Sequence, residues 1–190
     1  MPNIDACLTS KTNEHYTPLE FLAHVYAFLG TVNLDPCSST LENPTVFADC
    51  HYTQAMDGLS LPWFGKVFCN PPYGNGLLKW ADKIKTEYEQ SHFSEGLFLV
   101  PSRTDTKWTR SLDGYSRVYL SQRIKFADAN RIPQDSAPFP SVVFYFGDRQ
   151  DWFKRYWKDL GDVRICAKPK TFDKTAYQRE YMRKRRASYT

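Results

Sequence analysis

Lys66-Val67-Phe68-Cys69-Asn70-Pro71-Pro72-Tyr73-Gly74 is the stretch whose reading decides the fold. Its first four residues make a compact apolar strand, and Asn70 to Gly74 stop it with turn formers, two of them prolines that lack a ladder donor. Leu77, Leu78, Ala81, Ile84 and Tyr88 then recur at helical spacing. Strand, loop and helix repeat once: Gly96-Leu97-Phe98-Leu99-Val100 is a buried-type strand, Pro101 to Thr106 is polar, and Lys107 to Leu112 suits a short helix. Strands alternating with helices predict a parallel sheet covered on both faces.

Working outward, Thr17-Pro18 reads as an N-cap followed by proline at the first helical position. Phe21, Leu22, Val25, Tyr26 and Leu29 form the apolar stripe, and Gly30 ends it. Val32-Asn33-Leu34 is a strand running into Asp35-Pro36, whereas Leu41 to Gly65 holds turn formers and little period. Downstream, Arg117-Val118-Tyr119-Leu120 and Ser141-Val142-Val143-Phe144-Tyr145-Phe146 are strands linked without a helix, so they predict an antiparallel pair; Asp151 to Leu160 is an amphipathic helix. The expected fold is an open, mostly parallel α/β sheet ending in that pair, with ligands at the carboxyl ends of its strands. The chain divides into a loose arm (1–15), one domain (16–163) and a basic tail (164–190).

At 190 residues, 42% apolar and 24% charged, the chain suits one globular domain with a sizeable core. No run approaches the roughly 20 apolar residues of a membrane span, and the first residues lack a secretory pattern, so a cytoplasmic location is expected. Cys7, Cys37, Cys50, Cys69 and Cys166 form no C-x-x-C pair, and Cys50-His51 alone does not make a metal site; none is expected. From Arg164 onward nine Lys or Arg stand against Asp173 and Glu180, a net +7 within a total of +4, which leaves the body at −3. The basicity belongs to the tail.

Asn70 to Tyr73 carries the chemistry. An aromatic amino nitrogen is a poor nucleophile because its lone pair is delocalised into the ring. The Asn70 side-chain oxygen and the Pro71 carbonyl can each accept one N–H and localise that pair, while Pro72 fixes the next φ and Tyr73 offers a ring for stacking. Positioning against a methyl sulfonium then supplies much of the rate, without a general base of unusual pKa. The plain alternative is a tight turn, which all four residue types favour.

The chain resembles the phage-type DNA N6-adenine methyltransferases, a group with a Rossmann-like sheet that uses S-adenosylmethionine. The resemblance runs in order through Tyr16-Thr17-Pro18, Asn33-Leu34-Asp35-Pro36-Cys37-Ser38-Ser39, Asp57-Gly58-Leu59, Trp63 and Val67 to Gly74. It continues through Val100 to Trp108, Arg123-Ile124-Lys125-Phe126 and Ala137-Pro138-Phe139-Pro140-Ser141. It implies that Thr17 and Pro18 wrap the methionine carboxylate of the cofactor, that Asp35-Pro36 approaches its amino group, and that Asp57 bonds its adenine. Cys37-Ser38-Ser39 stands where a glycine-rich turn is usual.

The acceptor implied is a flipped adenine in duplex DNA; cytosine N4, RNA adenine, a protein glutamine, or a catalytically silent DNA-binding module are the alternatives. Arg103 is a candidate phosphate or base contact, with Asp105 orienting it or capping the following helix; Arg123, Lys125 and Phe126 could hold a backbone and a base. In the tail, Arg183, Lys184, Arg185 and Arg186, interleaved with tyrosines, are expected to meet phosphates. Nothing in the sequence calls for an obligate protein partner. No insertion is long enough for a separate recognition domain, so short loops such as Ala127 to Pro140 would read a short or relaxed DNA sequence.

Overall fold

The computed structural model describes residues 15–40, 42, 44–128, 130, 132 and 134–166, together with 175, 179, 182 and 183. The elements run α1 (Leu19–Leu29), β1 (Leu34–Ser38), β2 (Cys50–Thr53), a 3-10 turn (Gln54–Met56), β3 (Lys66–Cys69), α2 (Leu77–Glu89), β4 (Glu95–Pro101), α3 (Lys107–Ser111), β5 (Ser116–Leu120), β6 (Ser141–Phe146), α4 (Gln150–Trp157) and β7 (Gly161–Arg164). They build a seven-stranded sheet in the order β2-β1-β3-β4-β6-β5-β7. The first four positions are mutually parallel; β6 is antiparallel to β4 and β5, and β7 to β5. This is the mostly parallel, Rossmann-like arrangement expected, with two further edge strands: β2 falls in the stretch from Leu41 to Gly65 that shows little period, and β7 carries a single large apolar residue, Val163, too little for periodicity to show.

The period of two along β6 explains the layering. Tyr145 stacks on Phe153 of α4 (4.7 Å between centroids) and meets Phe28 of α1 edge-on at 5.3 Å. Its neighbours face the other way: Phe144 meets Trp108 of α3, and Phe146 meets Tyr88 of α2. Both faces of the strand are therefore dry, and all six of its residues are buried.

Two boundary differences bear on the site. The first helix begins at Leu19, with Pro18 in extended geometry (ψ 150°) as its N-cap. Thr17 does not cap it, because its hydroxyl accepts a hydrogen bond from Asn70 Nδ2 at 2.9 Å. The other boundary is in β1, which runs through Asp35-Pro36 instead of ending before them. Its register with β2 slips between Asp35↔His51 and Ser38↔Thr53, an irregularity that accommodates a residue with no N–H.

β1 lies between β2 and β3, so the chain must cross β1 on its way from one neighbour to the other. Strand order reverses there, and the carboxyl ends of β1 and β3 flank the crevice where open α/β sheets bind ligands. At the opposite end of β3 and β4 lies a polar cluster. Buried Glu95 accepts from Tyr145 Oη (2.7 Å) and from Arg149 Nε and Nη2 (2.9 and 2.8 Å), with Lys66 Nζ at 3.7 Å.

Candidate active site

A cavity of about 400 Å³ opens at that crevice, lined among others by His15, Thr17, Asp35, Asp57, Asn70 and Trp80. It gathers every residue the sequence assigned to cofactor and amine except Pro18 and Tyr73. Asp35 is 5% exposed. Its Oδ1 accepts from the Cys37 N–H at 3.1 Å, and burial still pushes its pKa up to about 6, against the opposing pull of that bond and of His51 across the ladder. A buried carboxylate held above its ordinary range is short of positive charge, so an ammonium group entering the cavity is the partner its chemistry fits.

Asp57 closes the other end of the cavity. It is a non-glycine residue at φ 54°, exposed, and its Oδ1 accepts from the Leu59 N–H at 3.2 Å. Two features hold this turn against β1. A Cβ on Gly58 would meet the Pro36 carbonyl oxygen at 1.9 Å, so only glycine permits the approach. Fully buried Trp63 donates its indole N–H to the Gly58 carbonyl (2.8 Å), while its backbone N–H donates to Glu87 of α2 (3.0 Å). Lys83 and His92 also pair with Glu87, and their combined pull outweighs burial and keeps its pKa low. Trp63 thus braces the cavity from α2.

At the end of β3, both donors of the Asn70 amide are engaged, whereas its oxygen has one donor and keeps a second lone pair. Its Nδ2 donates to the His15 carbonyl (2.6 Å) and to Thr17 Oγ1 (2.9 Å), and its Oδ1 accepts from Tyr73 Oη (2.8 Å). That network fixes the amide with its nitrogen toward α1 and its oxygen toward Tyr73. Tyr73 is 6% exposed, and burial raises its phenol well above the usual range. Its ring packs with Phe126 and Phe139. Beneath the loop, Cys37 and Cys69 lie 3.7 Å apart between sulfurs as free thiols, both pushed up by burial.

The chain belongs to the DNA N-6-adenine-methyltransferase (Dam) family. The family model matches residues 7–168, which takes in every element of the sheet and the whole cavity. Among curated proteins none matches the chain. A Dam-family protein modifies adenine N6 in DNA, and the Asn70 loop sits at the strand end where that fold binds its ligands.

The remaining residues of this Dam-family chain are placed less uniformly. Arg103 and Asp105 are exposed on the loop after β4, and no ion pair joins them among the described residues. Asp105 does not cap α3; Thr106 does, accepting from the Thr109 N–H at 3.4 Å. Arg123 donates to the Ala137 carbonyl (3.1 Å), which braces the 121–140 loop, and Lys125 is exposed. Phe126 is buried in the ring cluster rather than presented to solvent. In the tail, Arg183 is helical and exposed, whereas Lys184, Arg185 and Arg186 lie outside the described residues.

Six lining residues escaped the sequence reading: His15, Thr45, Val46, Thr53, Gln54 and Trp80. Trp80 stands three residues after Leu77 on α2, a spacing that could have marked it as facing inward. His15 was assigned to the loose arm, although it directly precedes the Tyr16-Thr17-Pro18 motif. No helix among the described residues is long and apolar enough to cross a membrane, and no group of three metal-ligating side chains is assembled among them.

Proposed function

We propose that this chain transfers a methyl group from S-adenosylmethionine to the N6 amine of an adenine flipped out of duplex DNA. The observation that carries the reading is the shared cavity: Asn70 and Pro71, two acceptors suited to an aromatic amine, border the same 400 Å³ space as the charge-starved carboxylate of Asp35. When bound, the cofactor supplies an electrophilic methyl sulfonium. Asp35 accepts from its ammonium, Thr17 and Pro18 border its carboxylate, and Asp57 accepts from its adenine amine.

Asn70 Oδ1 and the Pro71 carbonyl each take one N–H of the acceptor amine, which localises the lone pair for in-line attack. Nitrogen becomes acidic only after the N–C bond forms, so its extra proton leaves to solvent and no perturbed base is needed. A base stacked in a duplex cannot reach a side chain recessed among Thr17, His15 and Tyr73, which is why flipping is part of the reading. Arg103, Arg123, Lys125 and the tail cations, Arg183 to Arg186, are the proposed phosphate contacts.

The test is incubation with methyl-labelled S-adenosylmethionine and, separately, duplex DNA, single-stranded DNA and RNA, followed by digestion to nucleosides. Label in N6-methyldeoxyadenosine from duplex is the expected result; label in N4-methylcytosine, or only in RNA, overturns it. Asn70→Ala should lower transfer at least about 100-fold while cofactor binding by calorimetry is kept, a loss on the scale of removing one oriented polar group from a transition-state site.

A further inference from the structure

The ring of His15 sits where a stacked base would have to sit. Its centroid is 4.8 Å from Tyr73, 5.1 Å from Phe126 and 5.4 Å from Phe139. Those three rings are farther from each other, at 5.6 to 6.3 Å. His15 is therefore the centre of the cluster, and it is the ring that lies nearest to Tyr73 and most nearly parallel to it, at 37° against 83° and 73° for Phe126 and Phe139. His15 also lines the cavity, whereas Tyr73, Phe126 and Phe139 do not. It is the wall between the space facing Asp35 and the aromatic rings. A base stacked on Tyr73 with its amine at Asn70 and Pro71 would have to take the space that the His15 ring occupies.

Three further observations mark His15 as the removable member. Its Nε2 is buried without a hydrogen-bond partner among the described residues, a poor match for an all-aromatic seat. The other rings are anchored by β3, or by the 121–140 loop through the Arg123 bond to Ala137. The strand-like bridge that secures this segment is one residue later: Tyr16 and Ala127 exchange both backbone hydrogen bonds, at 3.3 and 2.9 Å. His15 can thus swing out while Tyr16 and Thr17 stay in place, and Asn70 keeps its bond to Thr17 as it loses the His15 carbonyl.

We infer that His15 is a placeholder for the acceptor base: its ring fills the seat formed by Tyr73, Phe126 and Phe139, and a flipped nucleobase enters by displacing it. The inference rests on the methyltransferase reading for the identity of the base.

Two substitutions with opposite expected signs test it. In His15→Phe a ring without the unpaired nitrogen fills the seat better, so the protein should melt higher while kcat/KM for DNA falls about tenfold or more, mainly through KM. In His15→Ala the seat is empty, so KM for DNA should fall several-fold with kcat kept. If both variants lose activity alike, His15 contacts the substrate, and if Phe is neutral it is plain packing; either result overturns the inference. A separate readout does not depend on turnover. The chain has only four histidines, so the His15 imidazole proton signal can be assigned by comparison with the Phe variant. Unmethylated duplex DNA, added with S-adenosylhomocysteine, should move that signal out of its ring-current-shifted position. An unmoved signal under saturating DNA refutes displacement, whereas absent label transfer with a moved signal refutes only the proposed reaction.

Discussion

Replacing Asp35 by Asn should make the ligand-free protein more stable at neutral pH while destroying its hold on the cofactor. Folding takes this carboxyl from an ordinary value of 3.8 to about 6, because burial penalises the charge more than Cys37 and His51 relieve it. A carboxyl whose pKa rises on folding binds its proton more tightly in the native state. Stability therefore falls as pH climbs from about 4 through about 6, and the whole penalty is present above that window. At about 1.36 kcal/mol per pH unit, the gap corresponds to about 3 kcal/mol at pH 8, or a melting shift of roughly 6–12 °C for a chain of this size. Asparagine keeps an oxygen for the Cys37 N–H and carries no charge to desolvate. Urea unfolding of both proteins from pH 4 to pH 8 is the assay. The variant should gain nothing near pH 4 and about 3 kcal/mol at pH 8, and S-adenosylmethionine should raise the melting point of the unsubstituted protein alone. A variant less stable at pH 8, or an advantage that does not change with pH, would refute the reasoning.

Other perturbations separate the site from its scaffold. Gly58→Ala forces a methyl group against the Pro36 carbonyl; a cost of about 1–3 kcal/mol in unfolding and a weaker calorimetric affinity for the cofactor are expected. Arg149→Ala leaves buried Glu95 with Tyr145 and a distant Lys66, so stability should drop by about 1–3 kcal/mol. Its kcat should be kept, because the cluster lies at the far end of β3 from Asn70. Deleting residues 171–190 should weaken DNA binding and flatten the slope of log affinity against log salt, as measured by fluorescence anisotropy; an unchanged slope would show that the tail cations meet no phosphates.

Much of this was legible in the sequence because the deciding signals are local. β3, the Asn70 turn and α2 follow from a strand, two prolines and a helical stripe, and β6 is visible as the apolar and aromatic run from Val142 to Phe146. What stayed hidden depends on contacts between distant residues. Thr17 has the composition of a cap but gives its hydroxyl to Asn70, 53 positions away. Asp105 likewise looks like a cap, yet Thr106 has the position from which a side chain can reach Thr109. The aromatic seat of Tyr73, Phe126 and Phe139 and the His15 ring that fills it come from separate parts of the chain, so no window of sequence contains them.

The slipped register around Pro36 works as a mechanical fuse. Upstream of it, Leu34 is clamped between β2 and β3; beyond it, the ladder resumes only at Ser38↔Thr53, and both Cys37 and Ser38 line the cavity. Small displacements made as a ligand settles against Asp35 can be absorbed in those two residues, and the other six strands need not move.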